Sequence, residues 1–525
     1  MNPPQFFYQV QAKAQRRWQQ LEQDPGLAGP WLQLFAQVQS PRHVVSELLQ
    51  NADDAGARWA RAAIQNGTFV FEHDGHDFTE EEFASLCEFG FSNKRVLHTI
   101  GFRGLGFKST FSLGDQVRLY TPSLAVLFNK QRFTEPVWMQ GAQPAPCTRI
   151  EVHIQDAHRE QALRNNLRDW AKHPASLLFF NHLQELVIEE LSIKPQRLGP
   201  GPVPNSDQIR IEARNAYEVL VVRSQPEPLP LDALAEVREE RHAPDLELPP
   251  CSVAIVWGLP GDQQLYAVLP TGVKIDVPFS CNAPFLLDPN RSRIKAPALS
   301  PTNRWLLDQL GRLAGQTILA WLENRSLELR DRARAYSLLP KKPAQEDSLE
   351  SDATVALCDA LSAEIAQCHK LLSTTGELVQ AEDCLAPPKK AYQAWDPPQL
   401  LELLGDGQRA VLSDAVTEDH RQRLRSWGWI DTLDDKTLID RLAHPKPVPR
   451  PTTHQRLLVL WAIAHEHRWD LPGSRLRKMA IVPVEGTPSL FSAEQVVRLP
   501  ANKEGIHADA CNFSPDWSMW WTRTG

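Results

Sequence analysis

A glycine-rich stretch, IGFRGLGFKS at residues 100–109, is the first part of the sequence with residues suited to chemistry. Its glycines let the backbone approach phosphate oxygens with N–H groups, and Lys108 adds a positive charge beside them. The spacing matches neither the G-x-G-x-x-G fingerprint of dinucleotide-binding folds nor a P-loop, in which G-K-[ST] closes the motif. Glycines also serve ordinary tight turns, so a phosphate-binding loop and an incidental loop both stay open.

The segment VVSELLQNADDAGARWA, residues 44–60, carries a second set of candidate residues. Its apolar residues follow helical spacing and predict an amphipathic helix. Glu47, Asn51 and Asp54 recur at i, i+4 and i+7 and therefore share one face of that helix. A solvated face is the commoner explanation of such a stripe. Asp53 falls elsewhere on the helical wheel, and we expect it to be solvated.

The order of the motifs along the chain is more specific than any one of them. The helix with E-x-x-x-N-A-D-D-A is followed by the acidic turn HDGHDF at 73–78, the glycine loop, and Thr148 at the start of a strand. This order resembles the GHKL ATPase superfamily, whose Bergerat fold is shared by the ninety-kilodalton heat-shock chaperone, DNA gyrase, MutL and histidine kinases. The wording ELLQNADDAG with IGFRGLGFKSTF is most similar to the branch that contains sacsin.

The resemblance implies that the polar stripe of the helix faces a nucleotide. Glu47 would orient and activate the attacking water as general base, and Asn51 would hold the Mg²⁺ that bridges the triphosphate. Side chains at i and i+4 stand side by side and can share one cluster of metal, water and phosphate, which Asp54 would support. The expected cofactors are therefore ATP and Mg²⁺.

The acidic turn departs from the family pattern. Relatives use a carboxylate within D-x-G-x-G to accept a hydrogen bond from the adenine amino group. Here Gly75 is present, the second glycine is replaced near Asp77, and the register leaves either His73 or Asp74 at the carboxylate position. We assign Asp74 because an amino group needs an acceptor, with His73 as the alternative. A carboxylate that merely shapes the turn also fits, and base specificity stays open.

The resemblance further assigns the glycine loop to the phosphates and residues 90–95, GFSNKR, to the lid of the family. Thr148 would reach the adenine side through water, although a threonine that opens a strand is also ordinary β-propensity. The loop residues expected to contact nucleotide are Gly101, Arg103, Gly104, Leu105, Gly106, Phe107 and Lys108.

A second segment, residues 273–297, is similar to the region that follows the ATPase domain in sacsin-like proteins. In the chaperone and MutL relatives, a basic residue of the second module reaches the γ-phosphate and couples hydrolysis to closure. Arg291 or Arg293 could take this catalytic role here, and a solvated loop of cations fits the same sequence.

Composition limits the remaining classes of function. A net charge of −8 over 525 residues disfavours indiscriminate binding to nucleic-acid backbones. The chain has no apolar run long enough to span a bilayer and no secretory signal, so we expect a cytoplasmic protein without membrane contact. Eight cysteines without a C-x-x-C motif indicate reduced thiols, and the HEH at 465–467 lacks the spacing of a zinc site.

The fold class predicted from these patterns is α/β with three parts. Residues 1–192 would form a Bergerat-type ATP-binding α/β sandwich, a mixed sheet covered by helices. Residues 193–300 would form a second α/β module, and residues 301–525 a mainly helical region with a small β unit near 477–500. Helices are expected at 5–22 and 157–172, and the proline- and glycine-rich segment 194–207 is expected to be a boundary or long turn.

The function implied by the resemblance is ATP binding and hydrolysis that closes a lid and drives conformational clamping, in a chaperone-like or macromolecule-remodelling role. A protein client and a nucleotide-dependent homodimer are the expected partners. One alternative is a nucleotide-gated scaffold with little turnover. Another is an ATPase subunit of a DNA-maintenance or antiviral defence system, although no nuclease or helicase motif supports nucleic acid as a partner.

Overall fold

The chain divides into two compact units of interleaved sequence. Unit 1 comprises Met1–Ile275, Phe279–Leu310 and Glu346–Ala356, and unit 2 comprises Asp276–Pro278, Gly311–Gln345 and Leu357–Gly525. The computed structural model describes residues 2–24, 26, 29, 32–33, 35, 44–88, 106–241, 243–288, 293–366, 368, 371–404, 409–431, 433–444, 446–467, 473–484 and 486–496.

Unit 1 is built on one large mixed sheet of 14 strands, which confirms the predicted α/β class. Most neighbouring strands are antiparallel, but β1 runs parallel to β7 and β12 runs parallel to β14. The order across the sheet is β13-β12-β14-β11-β10-β9-β8-β7-β1-β2-β6-β3-β4-β5. The strands are β1 Trp59–Gln65, β2 Thr68–His73, β3 Gln116–Tyr120, β4 Ala125–Asn129, β5 Arg132–Trp138, β6 Thr148–His153, β7 Glu185–Ile188, β8 Leu191–Pro200, β9 Ser206–Glu212, β10 Tyr217–Arg223, β11 Ala254–Trp257, β12 Gln264–Ala267, β13 Leu269–Lys274 and β14 Phe279–Asn282.

The helices of unit 1 include those predicted at 5–22 and 157–172, and the helix predicted within 44–60 ends at Asp54, before strand β1 begins at Trp59. The helix at 80–86 begins at Thr79, whose hydroxyl accepts the N–H of Glu82 while the Glu82 carboxylate accepts the N–H of Thr79, a capping box. The helices are α1 Gln5–Gln23, α2 Val44–Asp54, α3 Glu80–Leu86, α4 Ala157–Lys172 and α5 Leu231–Glu240, with 3-10 helices at Phe107–Ser112 and Pro174–Leu178.

The apolar face of α2 is part of the main core of unit 1. Leu48 and Leu49 are fully buried together with Phe69 and Phe71 of β2. Burying a leucine side chain stabilises a fold by about 2 kcal/mol, and truncating one to alanine in such a core costs about 2–5 kcal/mol. This packing holds the opposite, polar face of α2 in a defined position.

The segment 194–207 was expected to be a boundary or long turn, and this prediction was wrong for its first half. Residues 191–200 form β8, which pairs with β7 through 191–193 and with β9 through 194–200. The prolines Pro195 and Pro200 therefore lie where β8 has a neighbour on one side only. A strand tolerates proline at such an edge because no neighbouring strand on the open side needs a hydrogen bond from the N–H that proline lacks. The predicted division between 192 and 193 falls within this strand.

Unit 2 is mainly helical in its described residues, with small sheets. Its three-stranded sheet has the order β19-β21-β20, and the antiparallel β20 and β21 occupy the region where a small β unit was predicted. The division between the units falls within α6. The remaining elements are α6 Pro301–Glu323, α7 Leu329–Ala333, a 3-10 helix Arg334–Leu338, α8 Leu349–Ala366, β15 Leu371–Leu372, β16 Leu378–Val379, β17 Cys384–Leu385, α9 Lys389–Ala394, α10 Pro397–Leu404, β18 Ala410–Val411, α11 Glu418–Ser426, α12 Asp435–Leu442, β19 Val448–Pro449, α13 His454–Glu466, α14 Gly473–Leu476, β20 Ala480–Pro483 and β21 Ser489–Ser492.

Candidate functional site

The polar stripe of α2 lies on the side of the helix away from its buried leucines. Glu47 and Asn51 are half-buried, and Asp54 at the end of the helix is exposed. Amphipathic spacing produces this arrangement, since the apolar positions occupy the face that packs on the sheet. A carboxylate and a carboxamide one turn apart thus stand beside each other at the rim of the core.

Gly106 lies against the carboxylate of Glu47. A β-carbon built at position 106 would overlap Oε2 of Glu47 and would come within 3.5 Å of its Cβ. Only glycine leaves this space, and the 3-10 helix Phe107–Ser112 that follows also lies against α2. The last glycine of the predicted phosphate loop is therefore brought to the predicted general base.

Several predicted residues lie outside the described part of the chain. They are Gly101, Arg103, Gly104 and Leu105 of the glycine loop, the lid segment 90–95, and Arg291.

The acidic turn meets the other end of α2. A β-carbon at Gly75 would lie 2.8 Å from both Cβ and the backbone oxygen of Ala55, which directly follows the helix. The N–H of His76 donates to the same Ala55 oxygen at 3.0 Å. Gly75 is thus required for close approach of two backbones, and the turn is fixed beside the end of the polar stripe.

Asp74 is exposed, and its carboxylate holds the backbone. Its Oδ1 accepts the N–H of Arg58 at 2.8 Å and the N–H of Trp59 at 2.9 Å, at the start of β1. These bonds fix the chain entering β1 beside the chain leaving β2. The assignment of Asp74 to adenine stays a prediction, and one of its two oxygens already serves this structural purpose.

His73 ends β2 on the buried face of the sheet. The residue is 5% exposed, and its Nδ1 accepts the N–H of Gly75 at 3.1 Å. Burial is the main cause that lowers the pKa of His73 to about 4, because a charged ring would lose its hydration. The ring is therefore neutral at pH 7, with its proton on Nε2.

Thr148 lies opposite His73 in the antiparallel pairing of β6 with β2. The residue is 1% exposed, and its hydroxyl has no hydrogen-bond partner among the described residues. A buried hydroxyl without a partner is costly in a folded protein and commonly marks a place for water or a ligand.

Gln50 is a further residue of this kind that the sequence pattern did not single out. It stands on α2 between Glu47 and Asp54, and it is buried. Neither the nitrogen nor the oxygen of its carboxamide has a hydrogen-bond partner among the described residues. The helical spacing contained a signal for Gln50. It stands three residues after Glu47 and four before Asp54, so all three share one region of the helix surface.

Lys108 is buried and is directed to the end of α3. Its ammonium donates to the backbone oxygen of Leu86 and lies 5.5 Å from the centre of the Phe107 ring. Burial lowers the pKa of this lysine to about 8, while the neighbouring Cys87 acts in the opposite direction. The predicted phosphate contact of Lys108 stays a prediction, because here its amine serves a helix C-terminus.

Asp53 was expected to be solvated, and this was wrong. Its carboxylate is buried and accepts the backbone N–H groups of Asn181, His182 and Leu183 at 2.7–3.0 Å. The helical spacing contained the signal, because Asp53 stands four residues after the buried Leu49 and thus near the core-facing side. Asp53 connects the end of α2 to the loop before β7.

Arg293 lies at the base of the loop that follows β14. Its guanidinium pairs with Glu350 of α8, and its backbone oxygen accepts the N–H of Asp288 at 2.9 Å. The buried Asn303 holds this loop with two hydrogen bonds from its amide nitrogen, to the backbone oxygens of Leu286 and Lys295. Arg293 is thus presented on a supported loop, with its side chain 46% exposed.

Among the described residues, no group of three or more His, Cys, Asp or Glu side chains could hold a metal ion. No helix in the described ranges is long and apolar enough to cross a bilayer. None of the seven cysteines in the described part of the chain is joined in a disulfide. No protein-family model matches the chain, and no curated protein matches it either.

Proposed function

We propose that unit 1 binds ATP with Mg²⁺ and hydrolyses it, as a GHKL-type ATPase with a Bergerat-type layout. The observation that carries this proposal is the convergence of separate motifs on α2. Gly106 of the glycine loop lies against Glu47, and Gly75 of the acidic turn lies against Ala55 at the other end of the same helix. Residues distant in sequence thus surround one polar helix face.

The arrangement of helices on the sheet supports the Bergerat-type layout. Helix α2 packs on β1 and lies beside α4, α4 lies beside β7, and α1 lies along β5. Their apolar faces share one core with the strands. A mixed sheet covered by helices in this way is the architecture expected from the resemblance.

Each residue of the α2 face has a chemical role in the proposal. The Glu47 carboxylate would accept the proton of the attacking water, and Gly106 fixes where that carboxylate can stand. The Asn51 oxygen would be the protein ligand of Mg²⁺, which usually takes one or two protein oxygens along with water and substrate phosphates. Bound Mg²⁺ supplies charge neutralisation on the phosphate oxygens. A metal that needs so few protein ligands fits a site without a preformed cluster of acidic ligands among the described residues.

Arg293 is the candidate catalytic cation of the described residues. An exposed ion pair such as Arg293–Glu350 contributes about 0–1 kcal/mol, so its exchange for a phosphate oxygen is cheap. Such an exchange would couple nucleotide binding to movement of the loop after β14. We propose that this coupling drives a conformational clamp that acts on a protein client, in a cytoplasmic, chaperone-like role.

The test uses the purified full-length chain, with calorimetric binding of ATP in Mg²⁺ and continuous measurement of phosphate release. Glu47→Gln is expected to retain binding and to lose turnover by about 100-fold or more, because only the proton acceptor is removed. Asn51→Ala is expected to weaken the Mg²⁺-dependent part of binding. The matched control is Glu239→Gln on an exposed position of α5, which should change neither quantity.

Three results would contradict the proposal in different ways. Absence of ATP binding in the wild type would exclude the function as a whole. Binding without turnover in the wild type would indicate a nucleotide-gated scaffold. Turnover that survives in Glu47→Gln would remove Glu47 from the catalytic role.

A further inference from the structure

We propose that His73 is the residue that meets the nucleotide base, that it acts as a hydrogen-bond donor, and that the site therefore binds 6-oxopurine triphosphates at least as tightly as ATP. This inference rests on the proposed function, because it names the base that the same site recognises. It follows from where His73, Asp74 and Thr148 stand relative to the sheet.

The His73 side chain lies on the core-facing side of the sheet. Phe69, Phe71 and His73 occupy every second position of β2, and residues two apart on a strand share a face. Both phenylalanines belong to the core beneath α2, so His73 continues the same row at its end. Thr148 is its direct cross-strand partner and stands on the same face. Asp74, the next residue, is exposed and bonded to Arg58 and Trp59.

His73 and Thr148 both have polar side-chain atoms on this face. The Thr148 hydroxyl is buried without a partner among the described residues, and the Gly75 N–H occupies only Nδ1 of the neighbouring His73 ring, which leaves Nε2 for a further partner. Gly75 lies against the His73 ring and brings the acidic turn against the end of α2. Two adjacent buried polar groups at the end of an otherwise apolar row, each with hydrogen-bonding capacity left over, indicate a place for a polar ring.

The hydrogen bond from Gly75 decides which nitrogen of the His73 ring carries the proton. The N–H of Gly75 donates to Nδ1 of His73 at 3.1 Å, so Nδ1 is an acceptor and the proton lies on Nε2. Nε2 is therefore a donor toward the base. An aspartate at this position would accept the adenine amino hydrogen, whereas an Nε2–H donor meets that amino group unfavourably. It pairs instead with the carbonyl at position 6 of hypoxanthine or guanine, and Thr148 can donate or accept beside it.

The test compares dissociation constants for the β,γ-imido analogues of ATP, GTP and ITP in Mg²⁺ on the full-length chain. The wild type is expected to bind the inosine analogue at least as tightly as the adenosine analogue. His73→Asp is expected to raise the adenosine affinity relative to the inosine affinity by about tenfold or more, since an acceptor replaces a donor. His73→Asn retains an acceptor for the Gly75 N–H, removes the Nε2 donor and should reduce the inosine affinity.

The control is Glu239→Gln on an exposed position of α5, whose affinities should stay within about twofold of the wild type. Asp74→Asn tests the competing assignment, because its remaining carbonyl oxygen can still accept the two backbone N–H groups. A wild type that prefers adenosine tenfold would overturn the inference and leave the ATPase proposal intact. The inference would also be overturned, and the ATPase proposal left intact, if Asp74→Asn lost binding while His73→Asp kept the wild-type ratio of inosine to adenosine affinity. Binding of none of the three analogues to the wild type would overturn both.

Discussion

Gly106 touches the carboxylate of Glu47, although the two residues belong to different segments of the chain. The backbone at Gly106 is in the right-handed helical region, with φ −56° and ψ −53°, which any residue can adopt. Glycine is needed there for space and not for conformation. The contact therefore makes the position of Glu47 sensitive to the size of a single side chain.

Gly106→Ala should lower turnover much more than it lowers stability. The added methyl group meets the far end of a flexible side chain, so we expect the free energy of unfolding to change by about 1 kcal/mol or less. Displacing the general base should reduce the rate of phosphate release by about 10–100-fold. Gly199→Ala is the control, because nothing lies within 4 Å of a β-carbon at that position. An unchanged rate in Gly106→Ala would show that Glu47 need not occupy this place.

Asp53→Ala should destabilise unit 1. Three backbone N–H groups lose a buried, charged acceptor, and the expected cost is about 3 kcal/mol or more. The measurement is urea unfolding, with the transition of unit 1 assigned separately because a chain of two units need not unfold in one step. Asp54→Ala, one residue along on an exposed position, is the control and should cost less than about 1 kcal/mol. Equal effects of the two substitutions would contradict the anchoring role of Asp53.

His73 should make the stability of unit 1 depend on pH below neutrality. Burial lowers its pKa from 6.5 to about 4 in the folded chain, with Asp74 raising the pKa and His76 lowering it further. Between these values the unfolded chain binds a proton that the folded chain does not. The contribution of the neutral His73 ring to the free energy of unfolding should therefore be fully present above pH 6.5. The free energy of unfolding should fall by up to about 3 kcal/mol as the pH drops to 4.

The measurement is chemical unfolding at several pH values between 4 and 7.5, on the wild type and on His73→Asn. The difference between the two curves isolates His73 from the carboxylates that also titrate in this range. A difference that does not vary with pH would contradict the buried, neutral state of the ring.

Lys108 should make stability depend on pH in the alkaline range. Burial lowers its pKa from 10.5 to about 8, so above pH 8 the folded chain loses a proton that the unfolded chain keeps. The free energy of unfolding should rise with pH between about 8 and 10.5, by up to about 3 kcal/mol. Lys108→Met removes the titrating group and should lack this rise. Parallel curves for the two proteins would contradict the buried position.

The same variant tests the phosphate contact predicted for Lys108. A loss of ATP affinity of about tenfold or more at pH 7 would indicate that the amine leaves the Leu86 oxygen to bind phosphate. Lys108→Arg is the comparison, because it retains charge but is too large for the buried position. Equal ATP affinity in the wild type and Lys108→Met would remove the residue from the predicted site.

The sequence alone determined the elements whose signals are local. The polar and apolar stripes of α2 follow from a period of 3.6 residues, and the start of α3 follows from Thr79 and Glu82 in one turn. These interactions lie within a few residues of each other, so a pattern of residue types is sufficient to predict them.

Tertiary structure decided everything that depends on a distant partner. Pro195 fits in β8 because only β9 pairs with that half of the strand, and Asp53 is buried because the N–H groups of 181–183 meet it 128–130 residues further along the chain. The positions of His73 and Asp74 also depend on distant partners. Backbone N–H groups at the start of β1 bind Asp74, and the pairing of β2 with β6 buries His73. Residue types state what a side chain can bind, but the partner that reaches it is set by how the strands and helices pack.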